Sequence, residues 1–424
     1  MIGDQFGLPI PTDPEALRAG GAEFLTEAFR TFGTLSDGNA VSRITQFAEV
    51  PGGSTGRKLL LSVEYDKPDP DQRADLFVKF SRDLDDPVRD IGKTQMESEV
   101  RFTALSRTPG FPIAVPRPQF ADYHRATGTG ILISERIPFG INGIEKQYHK
   151  CLDYEMPEPL EHYRALLTAL ARLAGHHRSG RLPAQLADKL PVDLQAATVG
   201  QRTPISAETL HRRLTRLAEF AHTHPALLPS NVCAPSFFTR LHHEAPRFLR
   251  HEPEIWSYLT HDPDYIALCH WNANVDNAWF WRDSDNRLHC GLMDWGCVSQ
   301  LNLSMAIWGA MSGAETSMWA RHLDELLDLF VTEVRRSGGP NLDPDELAHQ
   351  LMLYIAVMGI TWLLGVPGLV RTRLGTSTQQ LSRTDPRIKN DESIRAPLQM
   401  LTNVLNLWET YPFGDLLDAA LTHR

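Results

Sequence analysis

The chain has 424 residues, 42% hydrophobic and 22% charged, with a net charge of −10 from 42 basic and 52 acidic side chains. That length can bury a sizeable core and predicts two lobes. The acidic balance, with no dominant basic patch, excludes the electrostatic footprint of a nucleic-acid binder.

The five cysteines, Cys151, Cys233, Cys269, Cys290 and Cys297, contain no C-x-x-C pair and match no zinc spacing. They predict small buried residues and reduced thiols, hence a cytoplasmic protein. The opening MIGDQFGLPIPTD lacks the basic-then-apolar order of a signal peptide. The apolar stretch from Leu351 to Val370 reaches the length of a bilayer span only marginally, and Gly365, Pro367 and Gly368 break its end. A buried helix of a large helical lobe is expected there, with no membrane span.

In chain order, Asp13 to Thr31 reads as a helix, with Asp13 as N-cap, Pro14 at the first position and a stripe of Leu17, Phe24, Leu25, Ala28 and Phe29. Arg43 to Tyr65 reads as a hairpin around Gly52-Gly53-Ser54-Thr55-Gly56. Such a turn lets backbone N–H groups approach a phosphate, although a plain hairpin would use the same residues. Asp75 to Phe80 reads as a strand with Leu76, Val78 and Phe80 on one face. Lys79 on the other face requires an anion if the strand is central, and faces water if it is an edge. Thr94 to Ser106 reads as a helix. Glu97 faces Arg101 one turn on, whereas Glu99 shares the buried stripe of Met96 and Phe102 and needs a cation, Lys79 being the obvious one. Phe120–His124 and Gly130–Glu135 form a second hairpin, which runs on into Arg136-Ile137-Pro138-Phe139-Gly140.

From about Pro157 the pattern turns helical. Leu160 to His177 is amphipathic, and Gln185 to His251 reads as several short helices and irregular loops. Leu268 to Gly296 reads as a polar loop, His270 to Asn277, followed by two short strands, Ala278–Trp281 and Leu288–Met293. A cluster of His, Asn and Asp at the mouth of a hairpin can hold a hard cation and a phosphate, since Mg²⁺ takes oxygen ligands. Helices follow at Leu303–Ser312, Met318–Arg336, Pro344–Leu364 and Arg395–Leu407, and Gly365 to Asp391 reads as a polar, mobile surface loop.

His270-x-Asn272-x-x-x-x-Asn277, a hairpin, and Asp294-Trp295-Gly296 repeat the spacing and order of the catalytic and metal loops of kinase-like phosphotransferases. With the glycine hairpin, strand Lys, helix Glu and later helical lobe in the same order, the chain resembles the aminoglycoside phosphotransferase, choline kinase and ecdysteroid-kinase-like superfamily. The resemblance runs from about Arg43 to Leu364 and is specific only over Leu268–Gly296. It implies an α+β, protein-kinase-like fold: a small antiparallel-sheet N-lobe over 1–138 and a large, mostly helical C-lobe over 139–424, with the hinge near Pro138.

The resemblance implies transfer of the ATP γ-phosphoryl group to a hydroxyl of a small molecule. Lys79 would hold phosphates and Glu99 would orient it. Gly52, Gly53, Ser54 and Thr55 would cover the nucleotide, and the hinge strand with Glu135 would bond its base. Asn277 and Asp294 would ligate Mg²⁺, and His270 would brace the loops. Asn272 stands where the family has its catalytic Asp. An amide orients a hydroxyl but takes no proton at neutral pH, so three alternatives are open: a slow kinase, a kinase that recruits Asp276, or a nucleotide-binding pseudokinase. Asp276 also reads as a turn residue supporting the loop. Trp271 and Trp295 lie inside the motif loops, and at least one is expected to line the acceptor site, which favours a hydrophobic alcohol. The oligomeric state is not legible.

Overall fold

The computed structural model describes residues 1–50, 56–86, 89–190, 192, 194, 205–375 and 381–422, the side chains of 89–95 excepted. Helix α1 (Pro14–Phe32) starts where Asp13 accepts the Ala16 N–H at 2.8 Å, and Pro14 occupies the first turn. It ends at Gly33, whose φ of 79° few residues other than glycine adopt readily.

Strands β1 (Val41–Val50), β2 (Lys58–Tyr65) and β3 (Asp75–Phe80), helix α2 (Arg89–Ser106), and strands β4 (Pro118–His124) and β5 (Thr129–Glu135) follow. The strands form one antiparallel sheet in the order β1-β2-β3-β5-β4. Period-two alternation puts Leu59, Leu61 and Val63 of β2 on the buried face, in one apolar core with Leu17, Leu25 and Phe29 of α1. The edge strand β4 is covered by the N-terminal residues. Asp122, wholly buried, accepts the N–H groups of Gln5 at 3.0 Å and Phe6 at 3.1 Å, and Asp4 N–H bonds the Tyr123 carbonyl.

The other elements are helices α3 (Pro159–Arg178), α4 (Ala184–Ala187), α5 (Ala207–Thr223), α6 (Pro235–Arg250) and α7 (Glu252–His261), strands β6 (Ile266–His270), β7 (Ala278–Arg282), β8 (Leu288–Leu292) and β9 (Val298–Asn302), and helices α8 (Leu303–Met311), α9 (Thr316–Arg336), α10 (Pro344–Thr361), α11 (Val366–Leu374), α12 (Pro386–Lys389), α13 (Glu392–Thr410) and α14 (Phe413–Thr422). Strand β6 pairs with β9, and β7 with β8. The chain divides into two compact units. The first comprises Met1–Lys146, Gly180–Pro191 and Gly291–Ser299; the second comprises Gln147–Ser179, Val192–Cys290 and Gln300–Arg424. The first carries the five-stranded sheet and the second is mostly helical, which is the α+β division expected.

Within the second unit α3 packs closely on α9. A Cβ at Gly175 would lie 2.6 Å from the Val334 carbonyl oxygen, so only glycine permits the approach. The stretch Pro344–Leu374, on α10 and α11, is long and apolar enough to cross a membrane by composition, and 78% of its most apolar 18 residues is buried inside the protein. Three expectations need correction. Between Gln185 and His251 the helices are not all short: α5 has 17 residues and α6 has 16. The stretch after Gly365 is not simply a surface loop, because α11 buries Val366, Pro367 and Val370. Strands β6 and β9 were not foreseen at all.

Asp153 is a buried carboxylate of the second unit. It is 1% exposed, accepts from Tyr163 Oη at 2.9 Å and from the Glu315 N–H at 3.1 Å, and its Oδ1 has no hydrogen-bond partner. Burial pushes its carboxyl from 3.8 up to about 6, against the two hydrogen bonds that lower it. The folded chain therefore holds this proton between about pH 4 and 6, where the unfolded chain has released it, and stability falls as pH rises through that window. Asp153→Asn, which keeps an acceptor for Tyr163, is expected to stabilise the protein by roughly 1–3 kcal/mol at pH 7.5 and by much less at pH 4.5, measured by urea unfolding at both values.

Candidate active site

In the first unit, Lys79 sits on an interior strand: β3 lies between β2 and β5, and Lys79 pairs with Lys58 and Leu132. It is 3% exposed. Its ammonium donates to Glu99 Oε2 at 2.6 Å and to Asp294 Oδ1 at 2.5 Å. Glu99, not Glu97, is the α2 partner. Glu97 faces the other way, onto Arg101 and Arg125. Burial alone would push the Lys79 ammonium down, but Asp294 and Glu99 more than offset this and hold it above its ordinary range. Burial, with Asp294 nearby, raises the Glu99 carboxyl despite Lys79.

Asp294 has φ 64° and ψ 63°, a left-handed conformation that costs a non-glycine residue roughly 1–3 kcal/mol. The residue after it fixes that conformation. The Trp295 ring stacks on Phe102 of α2 at 3.9 Å and 16°, its N–H donates to Glu99 Oε1 at 3.2 Å, and its indole N–H donates to the Leu292 carbonyl at 3.0 Å. Leu292 N–H in turn bonds the Ala114 carbonyl. The Asp294 side chain keeps 35% exposure, whereas Glu99 keeps 5%. One carboxylate is thus a structural counter-ion, and the other stays accessible.

Glu135, at the end of β5, accepts from Arg73 Nε at 2.9 Å and from the Arg117 N–H at 2.9 Å, so its carboxylate is tied within the unit. Gly52, Gly53, Ser54 and Thr55 lie outside the described residues.

In the second unit, the loop after β6 closes on itself. Asn272 N–H donates to Nδ1 of the buried His270 at 3.1 Å, and the Asn272 carbonyl accepts from Asn277 Nδ2 at 2.8 Å. The latter bond uses the nitrogen end of the Asn277 amide and leaves its oxygen end as a hard donor. Gly309 of α8 admits the loop, since a Cβ there would lie 1.5 Å from the Trp271 carbonyl oxygen. Asp276 turns onto Lys150 Nζ at 3.2 Å, which also takes Glu392 at 3.2 Å. Burial pushes the Asp276 carboxyl up, and Lys150 draws it back.

The two indoles expected to line an acceptor site are both buried. Trp271 is 8% exposed and donates to Tyr354 Oη at 2.7 Å; Trp295 is 4% exposed and stacked. Motif-loop indoles here serve packing, where their large apolar area stabilises most. The Lys79–Asp294 pair and the Lys150 network were not foreseen. The first joins residues 215 positions apart, and nothing near Lys150 in sequence marks its partners. Among the described residues no group of three or more His, Cys, Asp or Glu side chains is arranged to hold a metal.

Lys79→Met would leave the buried Glu99 carboxylate, and the accessible Asp294 beside it, without their shared cation. It is expected to lower stability by about 3–5 kcal/mol at pH 7.5, with the deficit shrinking toward pH 5 as Glu99 takes a proton. Denaturant titration of wild type and variant at the two pH values checks this.

No protein-family model matches the chain, and no curated protein matches it. Solved structures that match it include several small-molecule phosphotransferases. One is a microcompartment-associated aminopropanol kinase, at 13% identity and a TM-score of 0.44 over 93% of this chain and 98% of that one. A Plasmodium vivax ethanolamine kinase matches at 14% identity and a TM-score of 0.42, over 88% of this chain and 83% of that one. A spectinomycin phosphotransferase solved with ADP and spectinomycin matches at 13% identity and a TM-score of 0.40, over 90% of this chain and 98% of that one.

Proposed function

We propose that the chain binds Mg²⁺–ATP and transfers a phosphoryl group to an oxygen of a small molecule. The observation that carries this is the buried Lys79 ammonium shared between Glu99 and a strained, accessible Asp294. Three charges of which two are negative leave the cluster with an excess of carboxylate, and the accessible member is a hard oxygen donor. Both features suit a small dication, which takes few protein oxygens and completes its shell with phosphate and water. Lys79 would neutralise phosphate oxygens, with Glu99 holding it in place. Asp294 would offer the metal its accessible carboxylate, and within the second unit His270 would brace the loop through Asn272. When bound, Mg²⁺ would supply charge neutralisation on the transferring phosphoryl group.

A second reading, a nucleotide-binding pseudokinase, is favoured by Asn272, whose amide takes no proton. Asp276 gives no obvious substitute, because its carboxylate is engaged with Lys150. The two readings share nucleotide binding and differ in turnover.

Millimolar ATP with Mg²⁺ is expected to raise the melting temperature in proportion to the logarithm of ligand concentration above Kd. Asp294→Ala should abolish the metal-dependent part of that rise while a smaller nucleotide-only part persists through Lys79. Absence of any shift in the wild type would defeat both readings. A shift without transfer to any acceptor would leave the pseudokinase.

A further inference from the structure

The sequence contains one Asn-Gly pair, Asn142-Gly143, and it lies in an exposed turn of the first unit. Gly140 N–H bonds the Glu145 carbonyl at 3.1 Å and Ile144 N–H bonds the Ile141 carbonyl at 3.1 Å, so the chain doubles back over two residues. Asn142 has φ 55° and Gly143 has φ 80°, the two positive values of a type I′ turn. Both residues are exposed, and Ile141 beside them is 60% exposed. Among the described residues nothing bonds the Asn142 side-chain amide or the Gly143 N–H. Such a turn prefers an Asn-Gly pair, which accounts for the presence of the two residues but leaves their chemistry open.

That chemistry is attack of the Gly143 backbone nitrogen on the side-chain carbonyl carbon of Asn142. Gly143 has no Cβ to crowd the nitrogen. Its N–H is given to no acceptor and is open to base. The geometry is one peptide rotation away. Flipping the Asn142–Gly143 peptide plane converts type I′ into type II′ with the flanking residues in place, and carries ψ of Asn142 to about −120°. There the Gly143 nitrogen eclipses Asn142 Cβ, which brings it closest to Cγ. Asn286 of the second unit supplies a contrast. It is also exposed and has φ 61°, but the residue after it is Arg287, which carries a Cβ and whose N–H is held by Asp283 Oδ1 at 3.0 Å.

We propose that Asn142 is a deamidation site of the folded protein, independently of the phosphotransferase reading. The Gly143 nitrogen gives its proton to hydroxide and forms a bond to Asn142 Cγ. The Cγ–Nδ2 bond breaks, and ammonia departs with that electron pair and a proton from water. The product is a five-membered succinimide. Water then adds at either ring carbonyl, the bond from that carbon to the nitrogen breaks, and the nitrogen recovers its proton. Opening at the side-chain carbonyl leaves aspartate. Opening at the backbone carbonyl leaves isoaspartate, in which the main chain runs through the former side chain. Either product adds a negative charge at the turn. Isoaspartate also adds a methylene to the backbone between Ile141 and Ile144, where the two cross-chain hydrogen bonds fit a two-residue turn.

The full folded chain, and the same chain unfolded in guanidinium chloride, are incubated side by side in heavy-oxygen water at mildly alkaline pH. Peptide mass spectrometry after an acidic digest follows Asn142, and the unfolded chain supplies the intrinsic rate. The strain of an Asn in the type II′ conformer sets the delay, so the folded chain is expected to convert within about a hundredfold of that rate. The product should carry the heavy oxygen, and the rate should rise in proportion to hydroxide. Asn286 of the folded chain should stay intact over the same time. Asn142→Gly, which such a turn also accepts, is expected to lose the converted peptide while keeping the melting temperature of wild type. An intact Asn142 in the folded chain while the unfolded chain converts would show that the turn protects the site and would overturn the proposal. Conversion in neither sample, or equal conversion at Asn286, would overturn it too.

Discussion

One ammonium ion sets the terms for the first unit. Lys79 points off an interior strand into a place where water does not reach, and an ion there needs anions within contact distance. Glu99 satisfies that need from α2 and Asp294 from a segment far along the chain. Neither comes alone. Glu99 also receives the Trp295 N–H, and Trp295 lies on Phe102, so helix, strand and turn meet through a few mutually dependent contacts. The left-handed backbone at Asp294 persists because these contacts over-determine it.

The loop after β6 follows a different logic. It uses amides where the first unit uses charges. Its hydrogen bonds run from Asn272 to His270, Asn274 and Asn277, and its single carboxylate is drawn aside by Lys150. A loop closed largely by amides depends less on ionic strength than a cluster of charges does, since screening acts on charges rather than on amides.

Much of this was written in local pattern. Asp13, Pro14 and Gly33 bracket the first helix because caps are local chemistry, and the strand alternation of Leu59, Leu61 and Val63 needs no partner to be read. The choice of Glu99 over Glu97 followed from helical periodicity alone. What stayed hidden was long-range or masked by composition. Helices α5 and α6 do carry regular stripes, Leu210, Leu214, Leu217 and Phe220 in one and Phe237, Leu241, Ala245 and Phe248 in the other, so their length was legible and only Pro246 of α6 reads as a breaker. Strand β6 is buried at every position and shows no alternation to distinguish it from a buried loop. The burial of the Trp271 and Trp295 indoles was hidden too, because motif membership says which backbone approaches a ligand, not which way the side chain turns. The contact between Lys79 and Asp294 spans 215 positions, a distance at which no periodicity operates.

That separation also has a bearing on synthesis. The first unit is discontinuous: most of it is complete by Lys146, but Gly291–Ser299 arrives much later. At elongation rates of about 5–20 residues per second, the 215 positions between Lys79 and Asp294 represent roughly 10–40 s of translation. Throughout that interval the nascent sheet lacks its second carboxylate and the ring that covers Phe102. The growing chain therefore presents the ribosome and its attendant chaperones with a partly ionic, partly apolar gap, which only the late segment can close.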